Sequence, residues 1–227
     1  MGILNVVEDR PTPKNVYNWR VYLLAGIASC GSNMIGYTSA FIGTTITLDS
    51  FQQEFGLDKM SSAKVDLISE NIVSLFIAGA FFGALFTYPI GHFLGRKWSL
   101  VIASAIFTLG AGLQLGANHS RGLGIMYAGR VLNGLGTGVA SNIVPIYLSE
   151  LAPPAIRGRL VGLYELGWQI GGMVGFWINV SRLYAFSLAL RLLLLFSFLL
   201  GAMYAILTFT RLSTVSKKTW NLAIRNG

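Results

Sequence analysis

The stretch NIVSLFIAGAFFGALFTYPIGHFLGRK, residues 71–97, decides the fold of this chain. Residues 71–88 carry no charged side chain, and a helix needs roughly 20 apolar residues to cross the hydrocarbon core of a bilayer. The run ends in Gly95-Arg96-Lys97, and a second uncharged run starts directly at Trp98. The pattern therefore predicts two membrane helices joined by a short basic loop.

Six stretches of the chain have this character, and each holds at most one charged residue. They cover residues 21–48, 71–88, 98–117, 122–147, 160–179 and 183–210. Over the whole chain 53% of residues are apolar and 11% are charged, whereas soluble domains carry roughly a quarter charged residues. The predicted fold class is therefore an all-α membrane protein, a bundle of six transmembrane helices embedded in the lipid bilayer.

Composition also excludes several classes of function. The net charge of +8 does not indicate a nucleic-acid partner, because the basic residues are scattered between apolar stretches and form no patch. Cys30 is the single cysteine, so no disulfide framework is predicted. Only His92 and His119 could join it as ligands, so we predict no metal site, no cofactor and no catalytic residue.

Lysine and arginine residues are distributed unevenly between the two sides of the predicted bundle. Cytoplasmic loops of membrane proteins hold an excess of both. With the N-terminus inside, the cytoplasmic segments hold Arg10, Lys14, Arg20, Arg96, Lys97, Arg157, Arg159, Arg211, Lys217, Lys218 and Arg225. The outer loops then keep only Lys59, Lys64, Arg121 and Arg182. This asymmetry predicts that both termini are cytoplasmic.

Two loops carry more specific motifs. Gly95-Arg96-Lys97 joins spans two and three, and PIYLSELAPPAIRGR, residues 145–159, follows span four. In this order and at these span ends, they resemble the loop motif of the major facilitator superfamily and the signature of its sugar porter branch. The resemblance covers about residues 36–179. It implies the N-terminal half of a plasma-membrane transporter whose second six-helix half is a partner.

Opposite charges lie at the predicted cytoplasmic helix ends, where they can pair across the bundle and lock it when that side is shut. The residues of this predicted cytoplasmic gate are Gly95, Arg96, Lys97, Glu150, Arg157 and Arg159. The alternative is that these charges only set the topology. His92 stands where the superfamily usually has an acidic residue, so part of the expected charge network is changed here.

Arg130 interrupts span four, where a charged group is costly and usually marks a transport pathway. In proton-coupled sugar porters an arginine at this position pairs with an aspartate of span one, and Thr38 occupies that position here. A hydroxyl cannot exchange a proton near neutral pH as a carboxylate can. We therefore expect downhill movement of solute. The alternative for Arg130 is a shallow side chain that extends to the lipid headgroups.

Glu165 is the charged residue that interrupts span five, where a charge is energetically unfavourable. It shares a helix face with Gln169, Gly172, Phe176 and Asn179, and Trp168 borders this face. Hydrogen-bonding groups beside an aromatic ring suit a polyhydroxylated ligand. Glu165 at this position, followed by Leu-Gly-Trp-Gln-Ile-Gly-Gly, resembles fungal quinate permeases. The substrate-binding residues implied are Glu165, Trp168, Gln169 and Asn179, with quinate first and a hexose second. The alternative for Glu165 is a salt bridge that serves packing.

Three functions compete on this sequence. The first is a sugar porter type transporter that works by alternating access. The second is a truncated, non-transporting membrane remnant or binding subunit, because the chain ends after six spans. The third is a membrane enzyme, which the lack of a His/Asp/Glu cluster disfavours.

The chain divides into a cytoplasmic N-terminal segment (1–20), a transmembrane bundle of spans one to five (21–179), and an atypical sixth span with a basic tail (180–227). The family pattern is expected to end near Asn179. Val180-Ser181 can be encoded by GTA-AGT, a common start of a fungal intron. Residues 180–227 are therefore expected to be read through an unspliced intron or a shifted frame, and the alternative is a genuine but divergent sixth span.

Overall fold

The computed structural model describes residues 19–46, 49–117, 123–152 and 156–180, and in these residues every regular element is a helix. The elements are α1 (Trp19–Thr45), α2 (Asp49–Glu54), a short 3-10 helix (Leu57–Lys59), α3 (Ser62–Phe93), α4 (Gly95–Leu115), α5 (Leu123–Leu151) and α6 (Arg157–Val180). The first five predicted spans correspond to α1, α3, α4, α5 and α6. The sixth, 183–210, lies outside the described residues, together with residues 1–18 and the tail.

Helix bounds differ from the predicted spans at both ends. α3 begins at Ser62 instead of residue 71, because Lys64, Asp66 and Glu70 are compatible with a helix that extends beyond the hydrocarbon region. Its 32 residues are about 48 Å long at 1.5 Å per residue. α1 ends at Thr45, before the predicted end at residue 48, and α2 follows as a separate short helix. Hydropathy marks the part of a helix at lipid depth, and the helices continue past it.

Three of the described helices are long and apolar enough to cross a membrane: Ser62–Phe93, Gly95–Leu115 and Leu123–Glu150. α1 has 27 residues and α6 has 24, which correspond to lengths of about 40 and 36 Å. These two helices are long enough to span the bilayer, but they carry more polar side chains, including Asn33 on α1 and Glu165 on α6.

Small residues set the helix packing. α5 packs against both α3 and α4, and α1 packs against α6. A Cβ added to Gly138 of α5 would collide with the backbone carbonyl of Ala80 on α3, and one at Gly171 of α6 would collide with that of Asn33 on α1. The glycine stripes therefore bring backbones into direct contact, as is common between membrane helices.

Two apolar clusters fill the bundle. One contains Leu100, Val139, Ile143, Leu148 and Leu160 and joins the halves of the helices nearer to the α3–α4 turn. The other contains Tyr37, Phe51, Leu57, Ile72 and Met126 and lies at the opposite end. It fixes α2 and the 3-10 helix on the bundle, and Arg130 of α5 lies one turn along the helix from Met126.

Candidate functional site

The turn between α3 and α4 positions the first charged group. α4 follows α3 after the single residue Leu94, and Gly95 adopts φ +79, a backbone conformation that side chains with a Cβ disfavour. This turn places Arg96 beside the last turns of α5. Its Nη2 donates to Oε1 of Glu150 at 2.9 Å and its Nε donates to the same oxygen at 3.1 Å. Nη1 donates to the carbonyl of Gly91 at 3.2 Å, so one guanidinium ties α3, α4 and α5 together.

The ion pair of Arg96 and Glu150 lies at the surface of the bundle. Both side chains are about half exposed, at 40% for Arg96 and 49% for Glu150. Exposed ion pairs contribute little to stability, because water and salt compete with them. The pair therefore holds the helix ends in place without a large free-energy cost for separating them.

The other residues of the predicted cytoplasmic gate lie apart from this pair. Arg157 and Arg159 are exposed in the first turn of α6, and in the described part of the chain Arg157 makes no ion pair. The ammonium of Lys97 lies 5.7 Å from the ring centre of Trp98. His92 is exposed and stacks on Tyr88 with ring centres 6.3 Å apart. The structure thus joins Arg96 to Glu150 and leaves Arg157 outside the pair.

Arg130 is completely buried, which excludes the alternative of a side chain that extends to the headgroups. Its Nε donates to the carbonyl of Ile72 on α3 at 3.3 Å. Its guanidinium carbon lies 4.6 Å from the ring centre of Phe76. Nη1 and Nη2 are buried and have no hydrogen-bond partner among the described residues. The positive charge is therefore held at the α3–α5 interface by one carbonyl and one aromatic face.

Thr38 is also buried, on α1, and its hydroxyl donates to the carbonyl of Met34 at 2.9 Å. That bond satisfies the hydroxyl proton within α1. No hydrogen bond joins Thr38 to Arg130 in the described part of the chain. The two predicted coupling residues are thus both buried, and each is bonded to a backbone carbonyl of another residue.

Sequence reasoning missed two polar side chains near Arg130. Gln114 of α4 is buried with neither amide atom bonded, and the Oδ1 of Asn133 on α5 is buried and unbonded as well. Gln114 lies against Gly129, the neighbour of Arg130, and Asn133 lies against Gly110 of α4. Asn133 could have been found from its position three residues after Arg130 on a helix. Gln114 could not, because its contact with α5 depends on how α4 packs against that helix.

The predicted substrate face of α6 forms as a helical stripe. Nε2 of Gln169 donates to Oε1 of Glu165 at 3.5 Å, and both side chains are exposed on the described bundle. Trp168 is 43% exposed and packs so closely on Gly36 of α1 that a Cβ there would collide with it. Glu165 makes no ion pair within the described residues, so nothing there supports the packing alternative. Asn179 belongs to the last turn of α6, and its side chain lies outside what the structure describes.

A cavity of about 560 Å³, the outer cavity, opens where the end of α1, α2 and the start of α3 meet. Its walls are Gly43, Ile46, Gln52, Val65, Asp66, Ser69, Glu70, Val73 and Ser74. Two carboxylates, one amide and two hydroxyls give it a polar, acidic lining. In the described part of the chain no three His, Cys, Asp or Glu side chains are grouped to hold a metal ion.

Comparisons with known proteins bear on the family and the fold of the chain. The chain matches the model of a family described as "Sugar (and other) transporter" over residues 24–223. The match runs well past Asn179, where the sequence predicted that the family pattern ends. A protein of Aspergillus niger named "Probable quinate permease" is 72% identical over 179 residues, which are 79% of this chain and 33% of the relative. The protein of that name from Aspergillus terreus is 72% identical over 178 residues, 78% of this chain and 33% of the relative.

These relatives match the N-terminal part of the chain, and the chain spans about one third of their length. Among solved structures, the inward-open xylose transporter XylE from E. coli matches with a TM-score of 0.71 and 22% sequence identity. The match covers 84% of this chain and 48% of that transporter. The helical bundle corresponds in fold to the N-terminal half of a major facilitator transporter.

Proposed function

The chain belongs to the Sugar (and other) transporter family of integral membrane proteins, and we propose that it forms the half of a permease that binds a polyhydroxylated acid such as quinate. The observation that carries the proposal is the 72% identity over 179 residues to the Aspergillus niger protein named "Probable quinate permease". The matching part holds the polar face of α6. A hexose is the second candidate substrate, because hydroxyl groups on a ring are what the two ligands share.

The α6 face has the chemistry that such a solute requires. The carboxylate of Glu165 accepts hydrogen bonds from hydroxyl groups, and the amide of Gln169 both donates and accepts. The exposed indole of Trp168 offers a flat apolar wall for the ring of the solute. In the sequence, Asn179 falls at the helical spacing of the same face.

Alternating access would use the charges at the α3–α4 turn. In transporters of this kind two six-helix halves move against each other around a site near the bilayer midplane. The half-exposed pair of Arg96 and Glu150 ties three helices at one end of this bundle. Such a pair suits a gate, because it orders the helix ends and separates at little cost. Arg157, Arg159 and Lys97 would supply the surrounding positive charge on a cytoplasmic face of the plasma membrane.

Binding measured on the purified chain tests the proposed substrate. Glu165→Gln removes the charge and keeps the size of the side chain. Hydrogen bonds to charged groups contribute about 1.5–3 kcal/mol, so quinate should bind at least tenfold more weakly to this variant. Glu150→Gln is the matched control, because that carboxylate pairs with Arg96 and should leave the affinity unchanged. Equal affinity of Glu165→Gln and wild type would remove Glu165 from the site, and tighter binding of glucose than of quinate would favour the hexose.

A second candidate function is a binding subunit or remnant that does not transport. The chain spans about a third of the length of its relatives. Uptake of labelled quinate into vesicles that contain only this chain discriminates the two. Binding without uptake supports the binding subunit, whereas uptake above that of empty vesicles supports a transporter.

A further inference from the structure

Arg130 carries a positive charge that the described helices do not balance. It is completely buried, and only its Nε has a hydrogen-bond partner. The ring of Phe76 attracts the cation, but it does not replace a counter-charge. Charged groups in protein interiors are almost always paired with an opposite charge, because removing them from water is strongly unfavourable. A group with the opposite charge is therefore missing at Nη1 and Nη2.

No carboxylate of the described residues pairs with Arg130. Glu150 pairs with Arg96, and Glu165 contacts Gln169. Asp66 and Glu70 line the outer cavity, Asp58 is exposed, and none of these three makes an ion pair with Arg130. The side chains of the other four acidic residues, Glu8, Asp9, Asp49 and Glu54, lie outside what the structure describes, and residues 181–227 contain no acidic side chain. Within the described helices the charge of Arg130 is therefore unbalanced.

The neighbourhood of Arg130 offers further unsatisfied polar atoms. Gln114 has an unbonded amide group with two donors and one acceptor, and Asn133 has an unbonded carbonyl oxygen. Both lie at the contact of α4 and α5, at the level of Gly129 and Gly110. Buried polar groups in proteins are nearly always bonded, so these atoms point to a polar occupant as well.

We propose that Arg130 binds an anion through Nη1 and Nη2, and that this anion is the carboxylate of the solute or, in its absence, chloride. A guanidinium presents two parallel N–H groups that match the two oxygens of a carboxylate. The inference rests on the proposed function for the identity of the solute, and on the unbalanced Arg130 for the anion.

The outer cavity shows where the site communicates with bulk water. Val73 lines the cavity, and Phe76 lies three residues further along α3, on the same face of that helix. The ring of Phe76 covers the guanidinium. In this conformation the cavity therefore ends about one helical turn before Arg130. Asp66 and Glu70 line that cavity, so a free anion should enter slowly and faster at higher salt.

The experiment compares charged and uncharged forms of one solute on the purified chain in neutral detergent. Dissociation constants are measured for sodium quinate, for its methyl ester and for sodium chloride, at one ionic strength set by a bulky sulfonate salt. Wild type should bind quinate at least tenfold more tightly than the ester, and chloride should compete with quinate. Equal affinity for quinate and ester, without competition by chloride, would overturn the proposal.

Two matched variants locate the effect. Arg130→Gln should bind quinate and ester with equal affinity and should lose the response to chloride. Lys64→Gln, which removes an exposed positive charge near the start of α3, should keep the full preference for quinate. A preference that survives in Arg130→Gln would overturn the proposal. If Arg130→Gln does not fold, Arg130→Lys takes its place, and it should keep part of the preference because a point charge remains.

The outcomes separate this inference from the proposed function. If neither quinate nor its ester binds, quinate is not the substrate. The measurements with chloride then test by themselves whether Arg130 binds an anion. Stabilisation of wild type against thermal unfolding by chloride, absent in Arg130→Gln, would support the site. No stabilisation by any of the three probes would overturn it. A further outcome is that wild type binds quinate and its ester equally well and that Glu165→Gln weakens binding of the ester. This result would support the proposed function and reject the role of Arg130.

Discussion

Thr38 is the residue at which a single substitution should change how the protein responds to pH. Its hydroxyl is bonded within α1 and does not titrate near neutral pH. A carboxylate at this buried position would titrate, and with Arg130 buried on α5 an added negative charge has a potential partner. We predict that Thr38→Asp makes the affinity for quinate depend on pH, because it adds a titratable group, while wild type shows little dependence. The measurement is the dissociation constant at several pH values.

The control for this change is Thr38→Val, which removes the hydroxyl, keeps the shape and adds no titratable group. It should behave like wild type across the pH range. A flat profile for Thr38→Asp would show that position 38 is not coupled to the binding site. A dependence in wild type of the same size would show that another group titrates.

Residues also show how far sequence can be read into a site. Arg130 and Glu165 stand out because each is a lone charge in an apolar run. The residues that contact them are harder to predict from the sequence. The contact of Gln169 with Glu165 follows from helical spacing, whereas the placement of Gln114 beside Gly129 depends on how α4 is rotated against α5. That rotation is set by packing between distant parts of the chain, which helical periodicity alone does not encode.

At the scale of elements, the contact of α3 with α5 depends on the absence of a single methyl group. A Cβ at Gly138 would collide with backbone atoms of Ala80 and Ala84, which cannot move without shifting the helix. We predict that Gly138→Ala destabilises the bundle by about 1–3 kcal/mol, the usual cost of overpacking. Thermal or denaturant unfolding in detergent measures it. Gly124→Ala on the same helix is the control, because nothing lies within 4 Å of an added Cβ there.

Gly124→Ala should be neutral or slightly stabilising, since alanine favours the helix. Equal stability of the two variants would mean that α3 and α5 do not approach as closely as the structure shows. The glycine spacing in the sequence predicted that these faces are smooth. It could not identify which helix each face meets, because any pair of membrane helices can use such a stripe.

The predicted helix ends differ from the observed ones because hydropathy detects only the apolar part of each helix. Hydropathy located the five described spans because a low charge content over about 20 residues is a strong signal. Hydropathy did not predict the first turns of α3, because the charged residues Lys64, Asp66 and Glu70 are typical of a loop. The outer cavity was missed for the same reason, because its acidic lining lies in that extension.

At the scale of the whole molecule, the match to the family extends further along the chain than the matches to individual relatives. High identity to the Aspergillus proteins covers the N-terminal 79% of the chain, whereas the family model matches to residue 223. Whether residues 180–227 arise from an unspliced intron stays a prediction, and sequencing the transcript across the Asn179 codon tests it.

Transport should require the part of the permease that this chain does not span. A solute site between two six-helix halves needs both halves to exclude water and to alternate. We predict that the 227 residues alone bind quinate but do not carry it, and that residues 1–179 fused to the remainder of the Aspergillus niger relative carry it downhill. Uptake of labelled quinate in cells that lack their own permease measures this.

Glu165→Gln in the fused protein should abolish most of the uptake, and Arg157→Gln, outside the ion pair of Arg96 and Glu150, should leave most of it. Concentrative uptake by the fused protein would show that Thr38 does not prevent coupling, and uptake by the 227 residues alone would show that one half suffices.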